Sequence, residues 1–188
     1  MATKINNRPG LPGGNVGWDS GLNVGEPLSP GRKTFTDGTE TIVVSGSGRL
    51  EENSNNRGIT VNFAQDVPFL EVTSDAITLK FNPPVRAVAA QFVAMSAHLP
   101  QAFTAFARAR LADGSSSAKF SNKGTTTTTR DDSAVCLGVQ CSAADADIAS
   151  VSFTLTTVVD LSNPLFGFGI NVVTYAGAAA AGLAPAEG

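Results

Sequence analysis

The sequence predicts an all-β protein, an antiparallel β-sandwich of jelly-roll type with an extended N-terminal arm and a short C-terminal tail. Between residues 34 and 175, short runs rich in Val, Ile, Thr and Phe alternate with turn residues, as they do in β-sandwiches and barrels. The run 148–158 places Val151, Phe153 and Leu155 at every second position, with Ser and Thr between them. That period is typical of a half-buried strand. We find no convincing helix of ordinary length.

Composition divides the chain into three parts. Residues 1–33 are rich in Gly, Pro and Asn, and we expect them to form an extended arm and not a packed element. Residues 34–175 form the predicted β-sandwich domain, and residues 176–188 form an Ala/Gly-rich tail. A length of 188 residues suits one domain, because a single core serves about 100–200 residues.

Within the sandwich, the strands are expected between clusters of turn residues. The segment 102–112 contains good helix formers, but its alternation of Phe103, Ala105 and Ala107 with Phe106 and Arg108 favours a strand. Prolines 83 and 84 are expected to separate two strands, since proline cannot donate to a central ladder. The predicted strands are 40–46, 58–63, 69–73, 76–82, 85–94, 102–112, 116–121, 134–139, 148–158 and 166–175.

The charge of the chain argues against two classes of function. Charged residues make up only 15%, below the roughly 25% of average soluble proteins, and such uncharged polar surfaces suit extracellular or assembled proteins. The net charge is −3 and no basic run is longer than Arg32 and Lys33, so we expect no nucleic-acid partner. No stretch approaches the roughly 20 apolar residues that cross a bilayer, so we expect no membrane insertion.

The first residues of the chain lack the apolar segment of a secretory signal. Either a signal has been removed, or the protein leaves the cell without one, as a virion protein released by lysis does. We therefore expect the protein on a virion or at another extracellular or cell-surface location.

The apolar residues of the arm are spaced widely enough to be anchors into another surface. Trp18, the single tryptophan of the chain, either covers the core of its own domain or docks on a neighbouring subunit, where tryptophan commonly dominates binding. The candidate assembly anchors are Leu11, Val16, Trp18, Leu22 and Val24.

Catalytic motifs are not apparent in the sequence. The single histidine, His98, lies in a predicted loop, and no nucleophile elbow, zinc-protease motif or Walker loop is present. Catalysis usually needs a nucleophile, a base and a positioning group. We therefore expect no enzyme.

Two kinds of binding residue remain candidates. Turn-like segments carry Asp131, Asp132, Asp145 and Asp147, which are either solvated turn acids or hard oxygen ligands for calcium; no other cofactor is expected. Exposed aromatic rings could contact a glycan, and the candidates are Phe106, Phe166 and Phe168. For these rings a core or corner position is the alternative.

Two cysteines, Cys136 and Cys141, are separated by four residues. They are either two buried thiols or a local disulfide across a turn, and the choice depends on the redox compartment. A zinc site would need two further good ligands and is not expected.

Seven segments between residues 76 and 175 follow one another in an order and spacing that a known domain shares. They are ITLKFNPPV at 77–85, AVAAQF at 87–92, FTAF at 103–106, ADG at 112–114, DSAVCLGV at 132–139, IASVSF at 148–153 and FGINV at 168–172. Together they resemble a β-sandwich domain that recurs in secreted bacterial proteins bearing a PEP-CTERM sorting tail. The resemblance implies an extracellular sandwich without enzymatic activity and with a role in cell-surface or matrix structure.

The chain shows neither the signal nor the sorting tail of that family, and a phage could carry the same sandwich as a virion component. Two functional hypotheses follow. The first is a non-enzymatic structural or assembly module, such as a capsid-decorating protein, whose arm holds neighbouring proteins in a homo- or hetero-oligomer. The second is a carbohydrate-binding or adhesive module of a cell surface or matrix.

Overall fold

A computed structural model describes residues 1–6, 14–16, 18, 21–28, 32–37, 40–54, 60–96, 99–142, 147–157 and 165–177. These residues contain strands and no α-helix, which confirms the all-β class. No helix in the described ranges is long and apolar enough to cross a membrane. The strands are β1 (Ala2–Ile5), β2 (Gly14–Val16), β3 (Arg32–Asp37), β4 (Glu40–Ser45), β5 (Gly48–Glu52), β6 (Pro68–Val72), β7 (Ala76–Ser96), β8 (Gln101–Leu111), β9 (Phe120–Thr126), β10 (Val135–Cys141), β11 (Ile148–Thr157) and β12 (Leu165–Gly177).

The longest strand, β7, organises the fold. Its residues 76–82 pair with β4 on one side and with β11 on the other, whereas residues 85–96 pair with β10 and β12. The sequence predicts two separate strands here, and the structure joins them into one. The prolines are accommodated because they lie where β7 changes partners and where the register with β11 shifts, so no ladder bond requires their missing N–H.

Because β7 changes partners, the antiparallel sheet curls into a sandwich-like arrangement of two layers. The first layer runs β3, β4, β7, β11, β8 and β9, and the second runs β1, β10, β7 and β12, with β6 and β5 beyond β12. Strand β10 packs against β8 and β9 without pairing with them, which is the relation of facing layers.

The core fills the space between the two layers. Phe92 of β7 lies 5.1 Å from the ring of Phe153 and 6.4 Å from that of Phe168, and all three side chains are buried. The predicted alternation of β8 is confirmed, since Phe103, Ala105, Ala107 and Ala109 are buried while Arg108 and Arg110 are exposed. Burial of this apolar surface is the main favourable contribution to folding.

The strand predicted at 58–63 is wrong over its described residues, 60–63. These residues form an irregular loop that belongs to a second apolar cluster. The buried Asn53 amide donates hydrogen bonds to the carbonyl oxygens of Val61 and Phe63 and accepts one from the Val61 N–H. The side chain therefore supplies the bonds that a neighbouring strand would have supplied. The loop packs with Phe69 of β6 and with Val93 of β7, which points away from the face that carries Phe92.

Described residues of the predicted arm, 1–33, pair with other strands of the sheet. Strand β1 pairs with β10, β2 pairs with β12, and Pro27 bridges to Arg49. Turn-rich composition gives no information on such pairing with strands that are distant in sequence. Strands β1, β2, β3 and β5 are all additions to the predicted set, and β9 begins four residues later than expected. The tail beyond residue 177 lies outside the described residues.

The expected assembly anchors mostly belong to the core of this chain. Val16, Trp18 and Leu22 are buried in it, Val24 packs partly buried against it, and Leu11 lies outside the described residues. Trp18 is only 1% exposed, and its ring meets that of Phe35 edge-on at 5.6 Å. Of the two alternatives for Trp18, covering the core of its own domain is confirmed, because a large aromatic surface gains most where it is fully removed from water.

Replacing Trp18 with Ala should lower the free energy of unfolding by about 3–5 kcal/mol, the usual cost of emptying a buried aromatic site. The partly buried Val24→Ala is the matched control and should cost about 1 kcal/mol. Urea unfolding followed by circular dichroism measures both. Unchanged stability of Trp18→Ala, together with a changed sedimentation coefficient, would restore the neighbouring-subunit interpretation.

Candidate functional site

Of the four aspartates proposed for calcium, the three described ones, Asp131, Asp132 and Asp147, do not come together. Asp131 and Asp132 precede β10, and Asp147 follows it, so a seven-residue strand of roughly 20 Å separates them. Asp147 pairs instead with Arg86 at 2.7 Å, and Asp145 lies outside the described residues. No group of three His, Cys, Asp or Glu in the described ranges could hold a metal ion. The described members of the predicted ligand set are therefore not assembled into one site.

Asp131 and Asp132 shape the turn that leads into β10. The Asp131 carboxylate accepts hydrogen bonds from the Ser133 hydroxyl at 2.6 Å and from its N–H at 3.2 Å, and these bonds lower its pKa. Asp132 has a positive φ of 58° and accepts a bond from the Gln91 amide at 3.0 Å. Asp and Asn commonly stabilise turns in this way, so local structure accounts for both residues.

The three candidate glycan-contacting rings differ in position. Phe168 is buried in the core, where it contacts Phe92, so its core alternative is confirmed. Phe166 lies in β12, and its side chain is outside the described set. Phe106 is partly exposed on the outer face of β8, and the ammonium of Lys119 lies 3.9 Å from its ring centroid. Phe106 is therefore the one described ring of the three that faces outward.

The two cysteines are buried and form no disulfide. Both lie in the extended strand β10, five positions apart, which separates their Cα atoms by roughly 16 Å. A disulfide requires about 4–7 Å, so of the two alternatives this structure has the buried thiols and not the local bridge across a turn. Burial raises the pKa of Cys141 because it penalises the thiolate.

A charged cluster that the sequence did not reveal lies on β5 and β6. The Nε atom of Arg49 is 2.6 Å from a carboxylate oxygen of Glu51 and 2.8 Å from one of Glu71. The hydrogen bond from Arg49 to Glu71 and the charges of both glutamates raise the pKa of Arg49. The spacing of Arg49 and Glu51 places them on one face of β5, but the register with β6 was needed to bring in Glu71.

The outer face of the first layer is polar and regular. Phe106 lies opposite Thr154 of β11 and Ser121 of β9; in the next row Arg108 lies opposite Ser152, and in the row after that Arg110 lies opposite Ser150. Residues directly opposite on antiparallel strands share a face, and the rows extend to Thr78 and Lys80 of β7. The hydroxyl groups of Thr78 and Ser152 are hydrogen-bonded at 3.2 Å.

This surface carries an excess of positive charge. Five exposed cations lie on it, and no ion pair with another described residue engages any of them. The outward positions of β8, β9, β11 and residues 76–82 of β7 carry no carboxylate. Asp75 and Asp113 lie in turns beside it. We call it the basic face, and its cations are Lys80, Arg108, Arg110, Lys119 and Lys123.

Sequence inspection alone could not find the basic face. Its cations come from β7, β8, β9 and the segment before β9, so they form no run, and only the strand register collects them. The one local signal is the alternation of Arg108 and Arg110 with buried Ala107 and Ala109.

Comparison with known proteins does not assign a function to this face. No family model, no curated protein and no solved structure matches the chain.

The thiols give a direct check of the strand assignment. In the native protein at pH 8, Cys136 and Cys141 should react slowly with Ellman's reagent, and both should react at once after denaturation in guanidinium. Because the pKa of Cys141 is raised, the stability gained by burying its neutral thiol is present below the ordinary pKa and is lost as pH rises through the raised pKa. A mass increase of about two hydrogens on reduction would contradict the unbridged state.

Proposed function

We propose that the protein is a non-enzymatic adhesive module that binds carbohydrate at an extracellular or virion surface through its basic face. The observation that carries this proposal is the arrangement around Phe106, a partly exposed ring in rows of Ser and Thr hydroxyls with cations on the same face. The six-strand layer beneath gives the face a rigid base, and binding sites held by strands are more precisely positioned than sites on loops.

The chemistry of the face supports carbohydrate as the ligand. Hydroxyl groups both donate and accept hydrogen bonds, and Arg and Lys donate only, which suits the hydroxyl and ring oxygens of a sugar. Thr154, Ser152 and Ser150 form a line along β11 between the cations of β8 and β7. A polymer lying along this line would meet a hydroxyl in each row.

The engagement of the acidic side chains supports a non-enzymatic role. Glycoside hydrolysis needs one carboxyl group as an acid and another as a base or nucleophile. Glu51 and Glu71 both bind Arg49, and Asp147 binds Arg86, so these carboxylates serve ion pairs within the fold. The basic face itself presents cations and hydroxyls.

The hypothesis of an assembly module held together by its N-terminal arm has less support. Val16, Trp18 and Leu22 complete the core of their own domain, which leaves fewer apolar anchors for a neighbour. The low fraction of charged residues and the resemblance to secreted PEP-CTERM-type proteins favour an extracellular setting. A virion setting stays within the proposal, since virions also attach to glycans.

On a glycan array, the wild-type protein should bind a subset of polysaccharides, and Phe106→Ala should reduce that binding at least about tenfold, or about 1.4 kcal/mol. The substitution removes the ring at the centre of the face and releases the ammonium of Lys119 that lies over it. Lys4→Ala is the control, because Lys4 is exposed on β1 in the other layer. Binding that survives Phe106→Ala at full strength would rule out the basic face.

A further inference from the structure

We propose that the basic face recognises the negatively charged groups of an acidic polysaccharide, with Lys119 and Arg108 as the central anion-binding pair. This inference rests on the proposed function and names its ligand class: a glycan chain that bears carboxylate or sulfate groups. It would not hold for a neutral glycan.

The first step is the position of Lys119. Its ammonium lies 3.9 Å from the centroid of the Phe106 ring, within the range of a cation–π interaction. Lysine side chains are flexible, and ordering one on binding costs conformational entropy. The Phe106 ring lowers the entropy cost of binding, because it holds the Lys119 ammonium over the face before a ligand arrives.

The same contact assigns a role to Phe106. Since Lys119 lies over the ring, Phe106 is not an open stacking platform for a sugar. It is a positioning residue that acts on the ligand through the ammonium of Lys119. An aromatic ring is needed for this role, because an aliphatic side chain of similar size has no π-electron face.

The second step is the spacing of the other cations. Arg108 and Arg110 follow Phe106 at intervals of two residues on β8, which is roughly 7 Å each. Lys80 lies two strands from Arg110 in the same row, or roughly 10 Å. Charges distributed in this way suit a polymer with repeated anionic groups better than a single small anion.

No carboxylate among the described residues competes with an external anion for the cations of the basic face. None of the five cations is paired with a carboxylate among the described residues, so an anionic ligand would displace no internal ion pair. The remaining alternative polyanion is a nucleic acid. The hydroxyl rows and the net charge of −3 for the whole chain favour an acidic polysaccharide, because nucleic-acid binding usually relies on a strongly basic domain.

The test compares polysaccharides that differ only in charge: polygalacturonic acid against its methyl ester, and dextran sulfate against dextran. Biolayer interferometry should show binding to the charged member of at least one pair about tenfold tighter than to its neutral partner. The first pair reports carboxylate recognition and the second reports sulfate recognition. The preference should weaken as salt rises, because ions screen exposed charges over about 10 Å at 0.1 M.

Variants then identify the residues. Arg108→Gln and Lys119→Gln should each weaken binding of the charged member about fivefold or more and reduce its salt dependence, a loss of about 1 kcal/mol. Phe106→Tyr should retain the preference for charge and Phe106→Leu should reduce it, by no more than Lys119→Gln does, since tyrosine keeps the ring face that holds Lys119. Lys4→Gln removes one positive charge from the other layer and should change nothing.

The possible failures are distinguishable. Equal binding of charged and neutral members would overturn the anion pair while leaving the proposed carbohydrate function standing. Failure to bind any glycan would overturn both. Tighter binding to double-stranded DNA than to either charged polysaccharide would overturn the choice of ligand, and equal behaviour of Phe106→Leu and Phe106→Tyr would overturn the positioning role.

Discussion

The fold depends on the pairing of β7 with four other strands. Backbone N–H and C=O groups must be paired when they are buried, and residues 87–94 of β7 are buried without interruption. Strands β4 and β11 satisfy one part of β7, and β10 and β12 satisfy the other. Because each layer contains a part of β7, the layers are held in register by a continuous chain. The prolines between the two parts are tolerated because the ladder changes partners at that point.

Alternation along single strands could be predicted, and pairing between distant segments could not. The inward positions of β8 and β11 follow from a period of two residues, which is local information. Trp18 and Asn53 show what the sequence hides. The core position of Trp18 depends on the neighbouring Phe35, and Asn53 determines the path of residues 61–64 through its own amide. Both outcomes require knowledge of which segments meet, and composition does not contain it.

The candidate site was predictable to a similar extent. The sequence placed Phe106, Arg108 and Arg110 on one side of β8, and that placement is confirmed. The approach of Lys119 to Phe106 was not foreseen, because a hairpin turn at 112–114 and an irregular segment lie between them. The aspartates illustrate the opposite error. Asp131 and Asp147 are both aspartates in turn-like segments near each other in sequence, which suggested one shared site. Strand β10 lies between them and keeps them apart.

The contrast between the two sets of basic residues is the strongest physical argument for a ligand. Arg49 and Arg86 are committed to carboxylates within the fold, whereas the cations of the basic face have no such partner among the described residues. At roughly 7 Å in water, two like charges repel by only about 0.6 kcal/mol, and salt reduces this further. The face therefore costs the fold little stability, and it contributes none through ion pairing. In the proposed function an external anion supplies the missing partner, and an acidic sugar chain would satisfy both the cations and the rows of hydroxyls beside them.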